Sequence, residues 1–439
     1  MRDLGLRNLA RNTAATLGRQ LGGGILQLIT LAVIARVYGP EGNGAYTVAL
    51  LLPTMLATFL NLGIPPANVY YLGAGRVSAS TAWNAILRLY AGIVLIGSVL
   101  GAAGVLLYGD LWFPGVPSLL LWFALLIFPF SFLLSLLLSF FQGLQEFKQF
   151  NLIHLLQPFL TLLGIMALVL LGVENIALLL GAYLAASALT AALAIRALKP
   201  FLALQDSPHF PRYGASLLGY GYKAHLSNIL AFVNYKADIF LVNFFLGPAG
   251  AGIYIIAVQM SERLWLLSQA VSTVLLPRLS QLSNEEGKRK VLTPLITRWV
   301  LWVTLFGSLL LGGIAYPFIT LIFGDQYIGA VAPLLLLLPG IIMAAASRIL
   351  ANDIAARGRP ELNMYTSWLV VIINISANLL LIPNYGIAGA ALATSIAYTA
   401  NFSMRLAMHF YLTGVPAWKN ILIGRDDIVL AKGMFRHRA

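Results

Sequence analysis

Twelve apolar runs, each about 20 residues or longer, leave this chain of 439 residues no way to hide its apolar surface in water. They lie near 15–38, 44–72, 83–107, 117–141, 151–172, 175–197, 222–246, 251–279, 295–322, 328–352, 363–383 and 387–412. Polar or Gly/Pro breaks separate them; the slightest, at Gly172, Glu174 and Asn175, divides the fifth run from the sixth. Only 10% of the residues are charged, against about 25% in ordinary soluble domains. Lipid is therefore the expected solvent, and the fold class an all-α integral membrane protein of about twelve transmembrane helices. Ile25 to Val37 belongs to a run of spanning length with no clear small-residue cleavage site after it, so a cleavable signal is not expected.

A net charge of +13 would suggest nucleic acid in a soluble protein, but here the position of the charges decides. With the N-terminus in the cytoplasm, 25 of the 28 lysines and arginines fall on inner segments or inner span edges. The other three, Arg36, Lys236 and Arg263, sit inside spans or at their outer ends. Both termini are thus expected on the cytoplasmic side of a plasma membrane, with no nucleic-acid partner. The stretch Leu4 to Gln20, with Arg7 and Arg11 one turn apart, reads as an interfacial helix.

The chain also repeats itself. Gly39-Pro40-x-Gly42-x-Gly44-x-Tyr46 returns 208 residues later as Gly247-Pro248-x-Gly250-x-Gly252-x-Tyr254. Gly143-x-x-Glu146 recurs as Gly358-x-x-Glu361, and Pro129 has a partner in Pro339. A fixed offset close to half the length points to a duplicated, two-lobed membrane protein. Six spans per half is an even number, so both copies share one orientation, related by a pseudo-twofold along the membrane normal. The expected organisation is an N-terminal six-helix lobe over 1–198, a cytoplasmic linker over 199–221, a C-terminal six-helix lobe over 222–412 and a cytoplasmic tail over 413–439. The twin Gly-Pro segments read as tight structural turns at the outer surface.

Polar residues at membrane depth cost free energy, so their faces indicate where water or substrate goes. The second span carries Thr54, Thr58, Asn61, Pro65 and Asn68 on one helical stripe. The eighth does likewise with Gln259, Glu262, Arg263, Gln269 and Ser272, the eleventh with Asn363, Ser367, Asn374 and Asn378. One reading is interhelical hydrogen bonding, common for such residues; the other is a hydrated cavity between the lobes. Arg88, Lys223 and Arg348 lie within about two turns of the inner edge, where snorkelling to headgroups is one reading and a binding role the other. Lys236, Asp238, Glu262 and Arg263 lie nearer mid-membrane. They either neutralise one another or form a cationic site for an anionic headgroup with a carboxylate available to titrate; both bases suit diphosphate.

Several functions find no residues to carry them. The sequence has no Walker motif, dinucleotide fingerprint or zinc-type histidine pair, and no cysteine for a disulfide or thiolate site. The one aspartate pair, Asp426-Asp427, falls in the tail and reads as solvated surface. An enzyme is not expected, and no cofactor is implied.

Two motifs carry a family resemblance. Arg36-x-x-Gly39-Pro40-Glu41-Gly42-x-Gly44, and Asp238-x-x-Leu241-x-x-x-Phe245-Leu246-Gly247 leading into Gly252-x-Tyr254-x-x-Ala257, resemble the polysaccharide-transporter family of lipid-linked oligosaccharide flippases. That family shares its superfamily with multidrug extruders and peptidoglycan-precursor flippases. The resemblance implies two six-helix bundles alternating between inward and outward openings. It implies a substrate of undecaprenyl-diphosphate-linked sugar units, moved to the outer leaflet of a bacterial plasma membrane for O-antigen or exopolysaccharide synthesis, with a polysaccharide polymerase as a neighbouring partner. Twelve spans rather than fourteen speak against the peptidoglycan-precursor branch. On this reading Arg263 and Lys236 attract the diphosphate, helped by Arg36 and Arg88. Asn61, Asn68, Asn374 and Asn378 face the sugars, and Glu262 or Asp238 couples transport to a proton or sodium. The rivals are a multidrug extruder, whose pocket should be acidic and aromatic, a membrane-bound polymerase or ligase, which needs catalytic residues on an outer loop, and a scaffold that moves nothing.

Overall fold

The computed structural model describes residues 6–203, 213–282 and 285–424, with side chains for 21–203, 213–222, 225–282 and 285–424. Arg2, Arg7, Arg11, Arg19, Arg212, Lys223, the Asp426-Asp427 pair and most of the linker and tail lie outside the described residues or side chains. Among those described the chain is helical, with no strand. In lipid each backbone N–H and C=O must be paired within its own segment, and a helix does this.

The helices are α1 (Leu6–Ala49), α2 (Leu51–Leu60), α3 (Ile64–Gly73), α4 (Ala79–Trp112), α5 (Ser118–Gly143) and α6 (Phe147–Leu170). They continue as α7 (Ile176–Leu202), α8 (Tyr213–Glu262), α9 (Trp265–Gln281), α10 (Glu286–Phe323), α11 (Val331–Ala356) and α12 (Pro360–Thr413). Nine helical stretches among the described residues are long and apolar enough to cross a membrane. Three of these, Leu21–Leu60, His225–Glu262 and Pro360–Thr413, contain a bend and hold parts of two spans. The slight break after the fifth run is real: Gly172 takes a positive φ of 69° and Asn175 caps α7 by accepting from the Ala177 N–H at 2.9 Å.

The twin Gly-Pro motifs are elbows rather than loops. In each, a single glycine leaves helical geometry, Gly39 at φ 66°, ψ −175° and Gly247 at φ 72°, ψ −177°. Only glycine adopts that backbone without strain. The following proline begins the next helix, where its missing N–H costs nothing. Gly386 (φ 58°, ψ −141°) bends α12 in the same way.

The third glycine of each motif serves a different end. A β-carbon on Gly44 would lie 1.7 Å from the Pro248 carbonyl oxygen, and one on Gly252 would lie 1.9 Å from that of Pro40. The two copies therefore cross backbone to backbone, each glycine notched against the other's proline, and Asn43 Nδ2 donates to the Gly252 carbonyl at 3.1 Å. What reads in sequence as a repeated turn is a self-complementary crossing.

Contacts divide the described chain into two compact units. One holds Gly22–Ile255 and Ile322–Gln326; the other holds Ile256–Leu321 and the chain from Tyr327, with the first helix up to Leu21. The seventh span groups with the first six. The elbow crossing holds it there, and so does a backbone contact at its start, where Gly221 packs on Gly63. In the first unit α5 is the central helix, packed against α2, α3, α4, α6 and α7. Its Phe128, Phe132, Phe140 and Phe141 are fully buried in a core with Ile64, Ile86, Leu198 and Leu217. In the second unit α11, the fourth span of its half, is likewise buried along much of its length and packs on α9 and α12.

Candidate functional site

The first unit contains a cavity of about 660 Å³, within the range of about 300–1,000 Å³ typical of small-molecule sites. Helix α5 supplies Ser131, Ser135, Ser139 and Gln142 to its wall, at helical spacings that keep them on one face. Helix α6 contributes His154 and Gln157, α7 Tyr183 and Ser187, and α8 Asn228, while Pro65 and Pro66 close one side from α3. Among the described residues, no aspartate, glutamate, lysine or arginine lines it. The wall is braced from behind. Tyr213 donates to Asn68 Oδ1 at 2.9 Å, Asn68 Nδ2 donates to Ser139 Oγ at 2.8 Å, and Ser139 donates to the Leu136 carbonyl at 2.6 Å. Gln157 Nε2 reaches Ser187 Oγ at 3.4 Å.

A second feature is an interruption in the second span of each half. Helices α2 and α3 are separated by Asn61, Leu62 and Gly63, where Leu62 (φ 49°) and Gly63 (φ 70°) are both left-handed. Asn61 organises this break: its Oδ1 accepts from the Gly63 N–H at 2.8 Å and its Nδ2 donates to the Thr58 carbonyl at 3.0 Å. The helices α8 and α9 are separated at Arg263 and Leu264, whose N–H groups reach back only three residues, to the Met260 and Ser261 carbonyls. Arg263 is half-buried and its Nη2 donates to Gln259 Oε1 at 2.8 Å, with half-buried Glu262 beside it in sequence. Unwound backbone in an apolar span is tolerated where it is packed in protein or lines a water-filled space, and broken helices are common at transporter sites.

The remaining candidate residues are more engaged with the protein than the sequence suggests. Asp238 is buried; its Oδ2 accepts from Tyr254 at 2.8 Å and its Oδ1 from the Ile239 N–H at 2.8 Å, which ties the two arms of the Gly247 elbow. At the positions 208 residues earlier stand Thr30 and Tyr46, so the first elbow has no carboxylate at the place of Asp238. Lys236 lies half-buried on the same arm. Asn374 and Asn378 are fully buried, with Asn378 Nδ2 donating to the Asn374 carbonyl at 2.8 Å and to its Oδ1 at 3.0 Å. Arg36 donates through Nε to the Ile322 carbonyl at 2.8 Å. Arg88 is exposed and turns back on its own helix, donating to the Asn84 carbonyl at 3.2 Å.

One charged cluster escaped the sequence reading. Fully buried Asp353 in α11 accepts from Arg357 Nε at 2.6 Å and Thr293 Oγ1 at 3.1 Å, with Arg289 Nη2 at 3.5 Å. Arg357 also donates to Glu286 at 2.8 Å, and the buried His409 ring lies 3.6 Å from the Asp353 carboxylate. These residues come from three spans and have no sequence signature until the helices meet. The cavity did have one. Ser131, Ser135, Ser139 and Gln142 form a stripe as regular as that of the second span, on the most apolar helix of the first half.

Known proteins place this architecture. Residues 33–332, more than half of the chain, match the profile of the family described as polysaccharide biosynthesis protein, and both Gly-Pro elbows fall inside the match. The chain belongs to the polysaccharide biosynthesis family. The resemblance carried by the twin motifs is thereby borne out. Among curated relatives, a probable low-salt glycan biosynthesis flippase, Agl15 of Haloferax volcanii, is 27% identical over 191 residues, 42% of this chain and 40% of the relative. This match thus spans less than half of that flippase's length. An uncharacterized membrane protein of Methanocaldococcus jannaschii is 24% identical over 377 residues, 83% of this chain and 89% of the relative. Among solved structures, the lipid II flippase MurJ in an inward closed conformation superposes with a TM-score of 0.77 at 16% identity, covering 97% of this chain and 93% of MurJ. An inward-facing multidrug transporter of the MATE family gives 0.72 at 14% identity, covering 89% of this chain and 94% of that one. The fold of the polysaccharide biosynthesis chain is thus the one seen in MurJ and MATE transporters.

Proposed function

We propose that this protein is a flippase for lipid-linked glycan: it carries polyprenyl-diphosphate-linked oligosaccharide, of the undecaprenyl type in a bacterium, from the inner to the outer leaflet by alternating access. Arg263 is the observation that carries the reading. A guanidinium held half-buried where an apolar span tightens into a 3₁₀ turn is costly unless it serves an anion or an ion pair. Family membership and the flippases among its relatives supply the rest of the argument.

On this reading Arg263 and Lys236 attract the diphosphate, while Arg36 and Arg88 contribute less because both already donate to backbone carbonyls. Asn61, Asn68, Asn374 and Asn378 shape the surroundings of the sugars more than they contact them. Release needs a second state of lower affinity, which Glu262 or Asp238 supplies by taking up a proton or sodium. The two six-helix lobes, 1–198 and 222–412, are the bodies that move, both termini are cytoplasmic, and the glycan passes afterwards to a polymerase. The protein itself makes and breaks no bond.

The test is transfer of a fluorescent prenyl-diphosphate sugar across proteoliposomes, read by quenching of the outer-leaflet probe. Reversing both bases (Arg263→Glu with Lys236→Glu) should lower the rate about tenfold or more, a loss of about 1.4 kcal/mol or more. Unchanged rates would sink the assignment. The likeness to MATE structures supports one second reading, drug extrusion. Deletion would then raise susceptibility to cationic drugs while glycan export stayed intact.

A further inference from the structure

The bases proposed to hold the diphosphate do not line the cavity of the first unit, which raises the question of what that cavity receives. Its fourteen lining residues offer hydroxyls, amides, one imidazole and one phenol, set among leucine, valine and proline. A phosphate placed there would meet no guanidinium or ammonium group among the described residues, and an uncompensated charge away from water is strongly disfavoured. An apolar tail would leave the serines and amides facing hydrocarbon. A neutral, hydroxyl-rich ligand fits both constraints, because each hydroxyl can donate and accept.

The polar groups are arranged for such a partner. Ser131 donates to the Phe128 carbonyl at 3.0 Å and Ser139 to that of Leu136, so both offer acceptor lone pairs. Gln142 and Asn228, both exposed on the wall, add amide donors, and Ser135 is exposed between them. The Tyr213–Asn68–Ser139 chain fixes one side and the Gln157–Ser187 contact the other, so little side-chain freedom is lost on binding.

We propose that the cavity among α3, α5, α6, α7 and α8 binds the neutral sugar portion of the lipid-linked substrate, separately from the residues that hold its diphosphate. The proposal rests on the flippase reading for the identity of the ligand, and it assigns Gln157 and Asn68 as positioning residues behind the wall.

The chain has no cysteine, so a single introduced thiol reports on the cavity alone. Full-length Ser135→Cys and, as an independent reporter, Asn228→Cys are placed in nanodiscs, and the rate of reaction with a water-soluble maleimide is followed. Two probes are compared: a short-chain prenyl diphosphate carrying an N-acetylglucosamine disaccharide, and the same prenyl diphosphate bare. With ligand several-fold above its Kd, the glycosylated lipid should slow both thiols about fivefold and the bare lipid less than about twofold. Adding Gln157→Leu should abolish the difference between the two lipids. Equal protection by both lipids, protection by neither, or two thiols that never react would each overturn the assignment. Translocation of the same glycosylated lipid is measured in parallel. Protection without translocation would defeat the flippase reading and leave the sugar site standing, whereas translocation without protection would do the reverse.

Discussion

The first unit keeps its polar groups around an open space, and the second folds them onto one another. In the first, serines and amides surround about 660 Å³, with no acidic or basic side chain on the wall among the described residues. In the second, Asp353 collects Arg289, Arg357 and Thr293 in a cluster closed by its own side chains, with Glu286 bonded to Arg357 at its edge. Both arrangements cost free energy in an apolar setting, and they recover it differently. The charged cluster pairs its acids and bases within the protein and so ties α10, α11 and α12 to one another. The neutral cavity retains hydrogen-bonding capacity, which suits it to a ligand. Polarity at membrane depth therefore signals function only where the groups are not already used up.

The contrast breaks most easily at Asp353. Asp353→Ala leaves Arg289 and Arg357 without their shared carboxylate, and loss of one partner from a buried ionic group costs about 3–5 kcal/mol. The expected outcome is a large fall in thermal stability and folded yield in detergent; a melting curve like that of the wild type would show that the cluster locks nothing. Gly44→Ala comes next. Its β-carbon meets a backbone oxygen, which cannot swing aside as a side chain would, so overpacking of about 1–3 kcal/mol is expected at the elbow crossing. Gly252→Ala should match it, and unequal effects would argue against the reciprocal crossing.

Gln157→Leu tests the other side of the comparison. Stability should change by about 1 kcal/mol or less, because the bond from Gln157 Nε2 to Ser187 is long, at 3.4 Å. Glycan-lipid transfer in proteoliposomes should nevertheless fall about tenfold, equal to about 1.4 kcal/mol. A loss of stability with unchanged transfer would make the cavity structural, like the cluster. The smallest effect is expected at Arg88→Gln, which should slow transfer less than about threefold, or about 0.7 kcal/mol, since its guanidinium turns back to the Asn84 carbonyl. A drop as large as that for Arg263→Gln would restore Arg88 to the centre of the site.

Much of the candidate site was legible only in part. Residue type and spacing found the polar stripes of the second and eighth spans, because a helix converts spacing into a face. They did not reveal that Asn61 holds a helix break or that Asn374 and Asn378 bond each other, since partner choice is a matter of a few ångströms between atoms. The serine stripe of α5 was present in the sequence but lay within the most apolar helix of the first half, where four small hydroxyl and amide groups hardly lower the hydropathy. Asp353, Arg289 and His409 are far apart in the sequence, and nothing there joins them into one cluster.

By itself the sequence determined the solvent, the helical class, the twelve crossings and the duplication. These follow from length and periodicity, which the bilayer thickness and the pairing needs of the backbone turn directly into structure. Only the tertiary structure decided what the repeated motif is for. The proline and the first glycine specify an elbow locally, but the third glycine is needed because the other copy's backbone arrives there, from 208 residues away. Which polar groups stay open and which are consumed was decided in the same way. Both depend on the distance between helices, which no single segment encodes.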